Sequence, residues 1–316
     1  MKSGLARVDR RQEKLSRYSV EEGAINAWRA YSPAEDKERT NVHYERPPEF
    51  FTLITGGEWN VYSCNLWDTS ETDTGSQERK LDLLARLMGL KPGQRVLDIG
   101  CGWGGPMAYF AEQYGVRTSG LTLSEAQKEY AEARFARSSP DSTVHLCHWC
   151  DYESEEKFDA VYTDEVIVHF SDLLAFFQKV RSLLKPGGVM LNKELHYANA
   201  SFMKLTRAMV FLNKMYGETA NYRPLHDELR LLDESGFVLT SIQQIPISNY
   251  QRTVRAWLAN MEANRARLQE LVGMEHYTRF RTYLRILRRM MTHVDPAPMT
   301  LDVVVARSPG QYTWKA

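Results

Sequence analysis

Residues 95–105, Arg-Val-Leu-Asp-Ile-Gly-Cys-Gly-Trp-Gly-Gly, decide how this 316-residue chain is read. Val96, Leu97 and Ile99 form a short apolar run that suits a buried strand. Glycines follow at 100, 102, 104 and 105, and the next stretch, Pro106 to Tyr114, reads as a helix ended by Gly115. A strand that passes through glycines into a helix N-terminus lets the backbone approach a ligand closely, which implies a nucleotide-like cofactor. Gly100, Gly102 and Gly105 also satisfy G-x-G-x-x-G, the spacing of a dinucleotide site, but such a site wants an acidic residue about 20 residues on. The next strand ends Gly120-Leu121-Thr122-Leu123-Ser124, with no carboxylate. Thr122, Ser124 and Gln127 offer hydrogen bonds to a ribose or a carboxylate instead. An NAD-dependent oxidoreductase, a noncatalytic ligand-binding protein and a glycine run that merely turns the chain stay as alternatives.

Outward from this loop, apolar strands alternate with amphipathic helices, so the class is α/β with a doubly wound, mostly parallel sheet. VRTSGLTL, STVHLCHW, FDAVYTDE and VMLNKEL read as further strands, and FVLTSIQQIP and TLDVVVARS resume the sheet later. Ser124 is placed to cap the helix that follows it. LLAFFQKVRSLLK is amphipathic, and residues 250–291 read as mostly helix. Residues 1–75 read as an N-terminal helical arm or lid whose first 45 residues have no evident core of their own. Residues 76–316 form the cofactor-binding domain. Within it, residues 198–235, rich in Met, Phe and Tyr, read as a helical insertion over an acceptor pocket. No repeat or low-complexity tract marks a further domain.

Composition bounds the function. At 43% hydrophobic residues the chain can bury a large core, which excludes disorder throughout. Forty basic and forty acidic side chains give a formal charge of zero, so no global positive field exists to hold nucleic acid. Charge interrupts every apolar run well before the roughly 18 residues of a membrane span, and the mean hydropathy is −0.46. The basic start, MKSGLARVDRRQEKLSRYS, lacks an apolar signal-peptide core. With only four cysteines, the expectation is a cytoplasmic protein without a disulfide framework.

VLDIGCGWGG, followed by GLTLSEAQ and LLKPGG, resembles the S-adenosylmethionine-dependent methyltransferases of the cyclopropane-fatty-acid-synthase type. His43-Tyr44, Phe50-Phe51 and Tyr62-Ser63-Cys64 are similar to the family's HY, FF and YSC segments. Asn249-Tyr250, Arg252 to Trp257 and Glu262-Ala263-Asn264 are similar to its HYxxTLRxW and EAN segments, so the likeness covers about residues 41–309. It implies a class I, Rossmann-like methyltransferase fold. It also implies cofactor contacts from Tyr62, Ser63, Asp98, Gly100, Gly102, Gly104, Thr122 and Gln127, with Asp151 at the adenine edge.

The same resemblance implies that the family's cyclopropane synthases close a ring with a bound bicarbonate held by Glu, His, Tyr and Cys groups. Here the family's FEH triplet becomes Ile167-Val168-His169, and the Cys and Glu of its late YLxxCE segment become Leu287 and Arg288. A different carboxylate, Glu165, stands at the carboxyl end of the fourth strand, where ligands of open α/β sheets bind. Thr163-Asp164-Glu165 with His169 to Asp172 is similar to the NNE segment of isoprenyl-diphosphate C-methyltransferases. The chemistry fits, because methyl addition to an alkene leaves a cation from which a positioned carboxylate can take a proton. The expected function is therefore C-methylation of an alkene, with Glu165, His169 and Tyr250 catalytic and an isoprenyl diphosphate as acceptor. Methylation or cyclopropanation of an unsaturated acyl lipid and small-molecule N-methylation are the alternatives.

Arg279, Arg281, Arg285, Arg288 and Arg289 carry about +5 on one helix. They suit an anionic head group, whose diphosphate would bring Mg²⁺, or else a solvated face. Tyr222 and Phe202 join Arg279, Arg281 and Arg285 as expected acceptor contacts. Cys147, His148 and Cys150 do not make a metal motif, because a structural zinc site wants a second ligand pair. No dedicated metal site is expected, and both a monomer and a homo-oligomer suit the sequence.

Overall fold

A computed structural model describes residues 46–67, 72–139, 141–199, 222–291 and 298–310, with a few isolated positions before Arg46. The helices are α1 (Pro48–Thr55), α2 (Asp73–Met88), α3 (Gly105–Tyr114), α4 (Glu125–Ser138), α5 (Leu173–Leu183), α6 (Leu225–Glu234), α7 (Ser248–Ala263) and α8 (Arg265–Met290). The strands are β1 (Arg95–Ile99), β2 (Arg117–Thr122), β3 (Thr143–Leu146), β4 (Phe158–Asp164), β5 (Leu184–Tyr197), β6 (Val238–Ile245) and β7 (Met299–Arg307). They form one sheet in the order β3-β2-β1-β4-β5-β7-β6. All pairs from β3 to β5 are parallel, and β7 runs antiparallel between β5 and β6. The mostly parallel α/β class read from the sequence is thus observed.

Period-two alternation divides the core between the two sheet faces. Val96, Ala160, Tyr162 and Leu191 join one cluster with Phe51, Phe110 and Trp257. Leu97, Ile99, Val161 and Met190 join the other with Phe176, Phe177 and Val180. Phe50 and Phe51 of α1 are fully buried in the first cluster, so the end of the segment read as an arm shares the sheet's core.

Local signals set the element ends. Ser124 accepts from the Gln127 N–H and Asp172 from the Ala175 N–H, capping α4 and α5. Gly115 ends α3 in the left-handed conformation. Because β2 and β4 flank β1 on opposite sides, chain connections diverge at its carboxyl end, and the divergence opens a crevice there.

Candidate active site

That crevice is an open cleft of about 1050 Å³. Gly100 and Gly102 line it with φ of +86° and +52°, a region that a side chain would strain. A Cβ on Gly100 would meet the Val166 side chain at 2.6 Å, and one on Gly105 would meet the Trp59 carbonyl oxygen at 1.6 Å. The loop therefore has to be glycine for two packed segments to close over it. Thr122 donates to Gln127 Oε1 at 2.7 Å, which leaves the Gln127 amide nitrogen for a ligand. Asp98 accepts from the Tyr162 hydroxyl, and burial raises its carboxyl to about 7.

Two donors on the wall, Asn60 Nδ2 and Trp149 Nε1, are buried without partners. Unpaired buried donors are costly, so a polar ligand in the cleft suits them. Glycine cradle, free donors and apolar walls together fit a nucleoside joined to an amino acid.

Ser63, Cys64 and Glu165 meet at one end of the cleft. Glu165 follows β4 with φ of +60°, one of two non-glycine residues with positive φ among those described. Strain of this kind persists only where surrounding bonds enforce it. The Glu165 N–H donates to the Lys193 carbonyl at 2.7 Å. Its Oε1 accepts from the Cys64 N–H at 2.7 Å and from Lys193 Nζ, and its Oε2 accepts from the Tyr250 hydroxyl at 3.0 Å. Lys193 also reaches Asp164 at 2.8 Å, and Lys80 bonds Asp164 and Ser63 Oγ at 2.6 Å each. Both lysines have no solvent exposure. Burial opposes the Lys193 charge, but Asp164 and Glu165 outweigh it and hold its ammonium well above the usual lysine value. The same cations hold Asp164 far below the usual carboxylate range against its burial. Burial first, then the Glu165 charge, pushes the Tyr250 hydroxyl far up, so it stays a donor.

The fold gathers most of the residues expected from the sequence. Tyr62, Ser63, Asp98, Gly100, Gly102, Thr122, Gln127, Glu165 and His169 line the one cleft, and Tyr250 reaches it through Glu165. Gly104 stands behind the loop, where a Cβ would meet Ala131 and Phe135 at 2.8 Å, so it serves packing. Asp151 is not among the residues of the described wall. A turn closed by Asp151 N–H to His148 carbonyl at 3.0 Å turns it to solvent, and Cys147, His148 and Trp149 form that end of the wall instead.

None of the described cleft residues is an arginine. Arg279 pairs with Glu275 at 3.6 Å and Arg281 with Glu262 at 3.2 Å, while Arg285 is exposed on α8. Phe202 lies outside the described residues. Tyr222 is half-buried against Tyr197, with ring centroids 6.3 Å apart, close enough to Glu165 for that charge to raise its hydroxyl further after burial has done so. The ligand atoms of His148, Cys150 and Asp151 lie within 4.8 Å of one another, but His148 Nδ1 and Cys150 Sγ are already hydrogen-bonded at 3.0 Å.

Sequence reasoning missed Lys80, Asp164, Lys193, Asn60 and Trp149. A signal for one existed: Lys193 interrupts the apolar run of a central strand, where a charge must be met by another. Lys80 carried none, because a lysine within a charged helix such as DTGSQERKLDLLARLM reads as solvated.

Fold and cleft together define an S-adenosylmethionine-dependent class I methyltransferase. More closely, the chain belongs to the mycolic acid cyclopropane synthetase family, whose pattern it matches over residues 31–295. It is 29% identical over 264 residues to the S-adenosylmethionine-dependent methyltransferase UmaA of Mycobacterium tuberculosis, covering 78% of this chain and 90% of that protein. It is 30% identical over 263 residues to cyclopropane mycolic acid synthase 1 of the same species, covering 77% and 88%. Among solved structures, the mycolic acid cyclopropane synthase CmaA1 complexed with SAH and CTAB superimposes with a TM-score of 0.78 at 25% identity, over 86% of this chain and 98% of that one. The oxidoreductase alternative falls with this assignment.

Proposed function

We propose that this chain transfers a methyl group to an alkene carbon of an unsaturated acyl lipid, with Glu165 as acceptor of the proton then released. The observation that carries the reading is the bonding of the Glu165 carboxylate. An ionised carboxylate has about four lone-pair sites. Cys64 N–H, Lys193 and the Tyr250 hydroxyl occupy three, and the one left open is on Oε2. A base so held is oriented and still has a lone pair open to a proton.

Gly100, Gly102, Asp98, Thr122, Gln127, Tyr62 and Ser63 are the groups that would hold S-adenosylmethionine, which supplies a methyl on a positively charged sulfur when bound. With that cofactor bound, the alkene π pair would form the new C–C bond as the methyl–sulfur bond breaks and the pair returns to sulfur, leaving S-adenosylhomocysteine and a cation on the adjacent carbon. The Glu165 carboxylate stabilises that charge in an enclosed site, and the rings of Tyr62 and Tyr222 add about 1 to 2 kcal/mol each where dry. Glu165 Oε2 then takes a proton from a neighbouring acceptor carbon, and the C–H pair becomes the new double bond.

The acyl acceptor replaces the isoprenyl diphosphate expected from the sequence. The arginines that argued for a diphosphate, and with it for Mg²⁺, stand off the cleft wall. The names of the family and of its relatives, mycolic acid synthases, favour a long lipid chain. Open-chain methylation is favoured over ring closure because Val168 and Leu287 replace part of the set that the resemblance gives to ring closure.

Incubation with trideuteromethyl donor and a panel of cis-unsaturated phospholipids, prenyl diphosphates and amines tests the reading by product mass. The expected product is a methylated acyl lipid with all three deuteriums. Loss of one would place the departing proton on the transferred methyl and overturn open-chain methylation. Glu165→Gln is expected to lower turnover by roughly 10²- to 10⁴-fold with affinity for S-adenosylhomocysteine within about twofold. An equal loss of both would make Glu165 structural.

A further inference from the structure

We infer that Lys193 is the positioning residue of the base, gripping Glu165 at both ends. The inference rests on the reading of Glu165 as proton acceptor. The grip is two-point: the Lys193 carbonyl takes the Glu165 N–H at 2.7 Å, and the Lys193 ammonium bonds the Glu165 carboxylate. Between them these bonds enforce the positive φ of Glu165. Lys193 projects from the middle of β5 with no solvent exposure, where an ammonium persists only if its charge and its donors are met.

Around it stand four formal charges whose sum is zero: Lys80 from α2, whose pKa burial lowers against the pull of Asp164; Asp164 and Glu165 from the end of β4; and Lys193 from β5. The other titratable groups facing Glu165 are Tyr250 from α7, Cys64, Tyr222, Tyr283 from α8 and Glu194 from β5. Burial keeps the tyrosines and Cys64 neutral and raises Glu194 to about 8. Lys193 is thus the one cation bonded directly to the base among the described residues. Lys80 acts a step away, through Asp164 and Ser63.

This arrangement also resets the site. A proton taken up by Glu165 leaves the set with one uncompensated positive charge in a low-dielectric interior, which favours release of that proton once product leaves. A neutral residue at 193 would satisfy the packing and supply neither effect.

The test is the kinetics of two variants on a cis-unsaturated phospholipid. Lys193→Met is expected to lower kcat by roughly 10- to 100-fold with KM and affinity for S-adenosylhomocysteine within about twofold, and Lys193→Arg, which keeps the charge, to recover most of kcat. Should Lys193→Met not fold, Lys193→Gln keeps a donor without the charge and carries the same expectation. An unchanged kcat in the uncharged variant, or a fall in kcat matched by an equal loss of affinity for S-adenosylhomocysteine, overturns the inference while leaving Glu165 as base. Full turnover in Glu165→Gln overturns the base reading itself, and Lys193 then has only a structural role.

Discussion

His196 offers the sharpest physical test of the buried polar layer beneath the site. It projects from β5 with 1% exposure between Glu228 Oε2 at 2.6 Å and Asp302 Oδ2 at 3.2 Å. Burial disfavours its charge, but the bonds to Asp302 and Glu228 prevail and raise it from the ordinary 6.5 to about 10. At about 1.4 kcal/mol per unit, such a rise corresponds to about 5 kcal/mol, and breaking a buried ion pair costs about 3 to 5. The two figures agree on a working range of roughly 3 to 5 kcal/mol. Because the folded value lies above the unfolded one, this stability is fully present below pH 6.5 and is lost as pH rises through 10. Between those limits the folded state holds one more proton at this group, so it contributes a fall of about 1.4 kcal/mol per pH unit. Urea denaturation of wild type and His196→Gln at half-unit steps from pH 6 to 10 isolates it. Glutamine keeps a donor and an acceptor without the charge; groups that do not face His196 cancel in the difference, whereas Glu194, which the His196 charge lowers, adds to it. The stability gap is expected to be at its widest near pH 6.5 and to close by pH 10. Parallel curves between pH 7 and 9.5 would show that His196 is neutral in the folded protein and refute the reasoning.

The other predictions concern the cleft and the basic helix. Gly105→Ala places a Cβ 1.6 Å from the Trp59 carbonyl oxygen, so backbone must move. Thermal unfolding is expected to report a loss of about 1 to 3 kcal/mol, and calorimetry a weakened affinity for S-adenosylhomocysteine. Arg285→Ala, by contrast, is expected to leave kcat and KM for an acyl acceptor within about twofold, since Arg285 faces solvent on α8. A KM raised tenfold or more would return that helix to the acceptor site.

What was legible in the sequence follows the range of the forces involved. β1, the glycine loop and α3 could be read directly because apolar alternation, positive φ and a helix start are each decided within a few residues. The Ser124 cap is decided over three residues, and its bond to the Gln127 N–H forms as read. Glu165 was found because a carboxylate at a strand's carboxyl end has a position that local pattern fixes. Where Asp151 points was not legible, because the turn after β3, not the strand's own period, sets it. Where the arginines point was not legible either, because charge density on a helix does not say which way the helix face turns.

The sequence by itself determined the α/β class, the cofactor loop and the family, since glycine placement and strand patterning are local and the family's segments recur in order. Only the tertiary structure decided the bonding around Glu165. Lys80 and Asp164 lie 84 residues apart, Cys64 and Glu165 101, and Glu165 and Tyr250 85. Charges so distant in the chain meet only when strand order brings β4 against β5 and packs α2 and α7 over their ends. Once buried together they must balance, because leaving one of them unpaired costs about 3 to 5 kcal/mol out of a total stability of about 5 to 15.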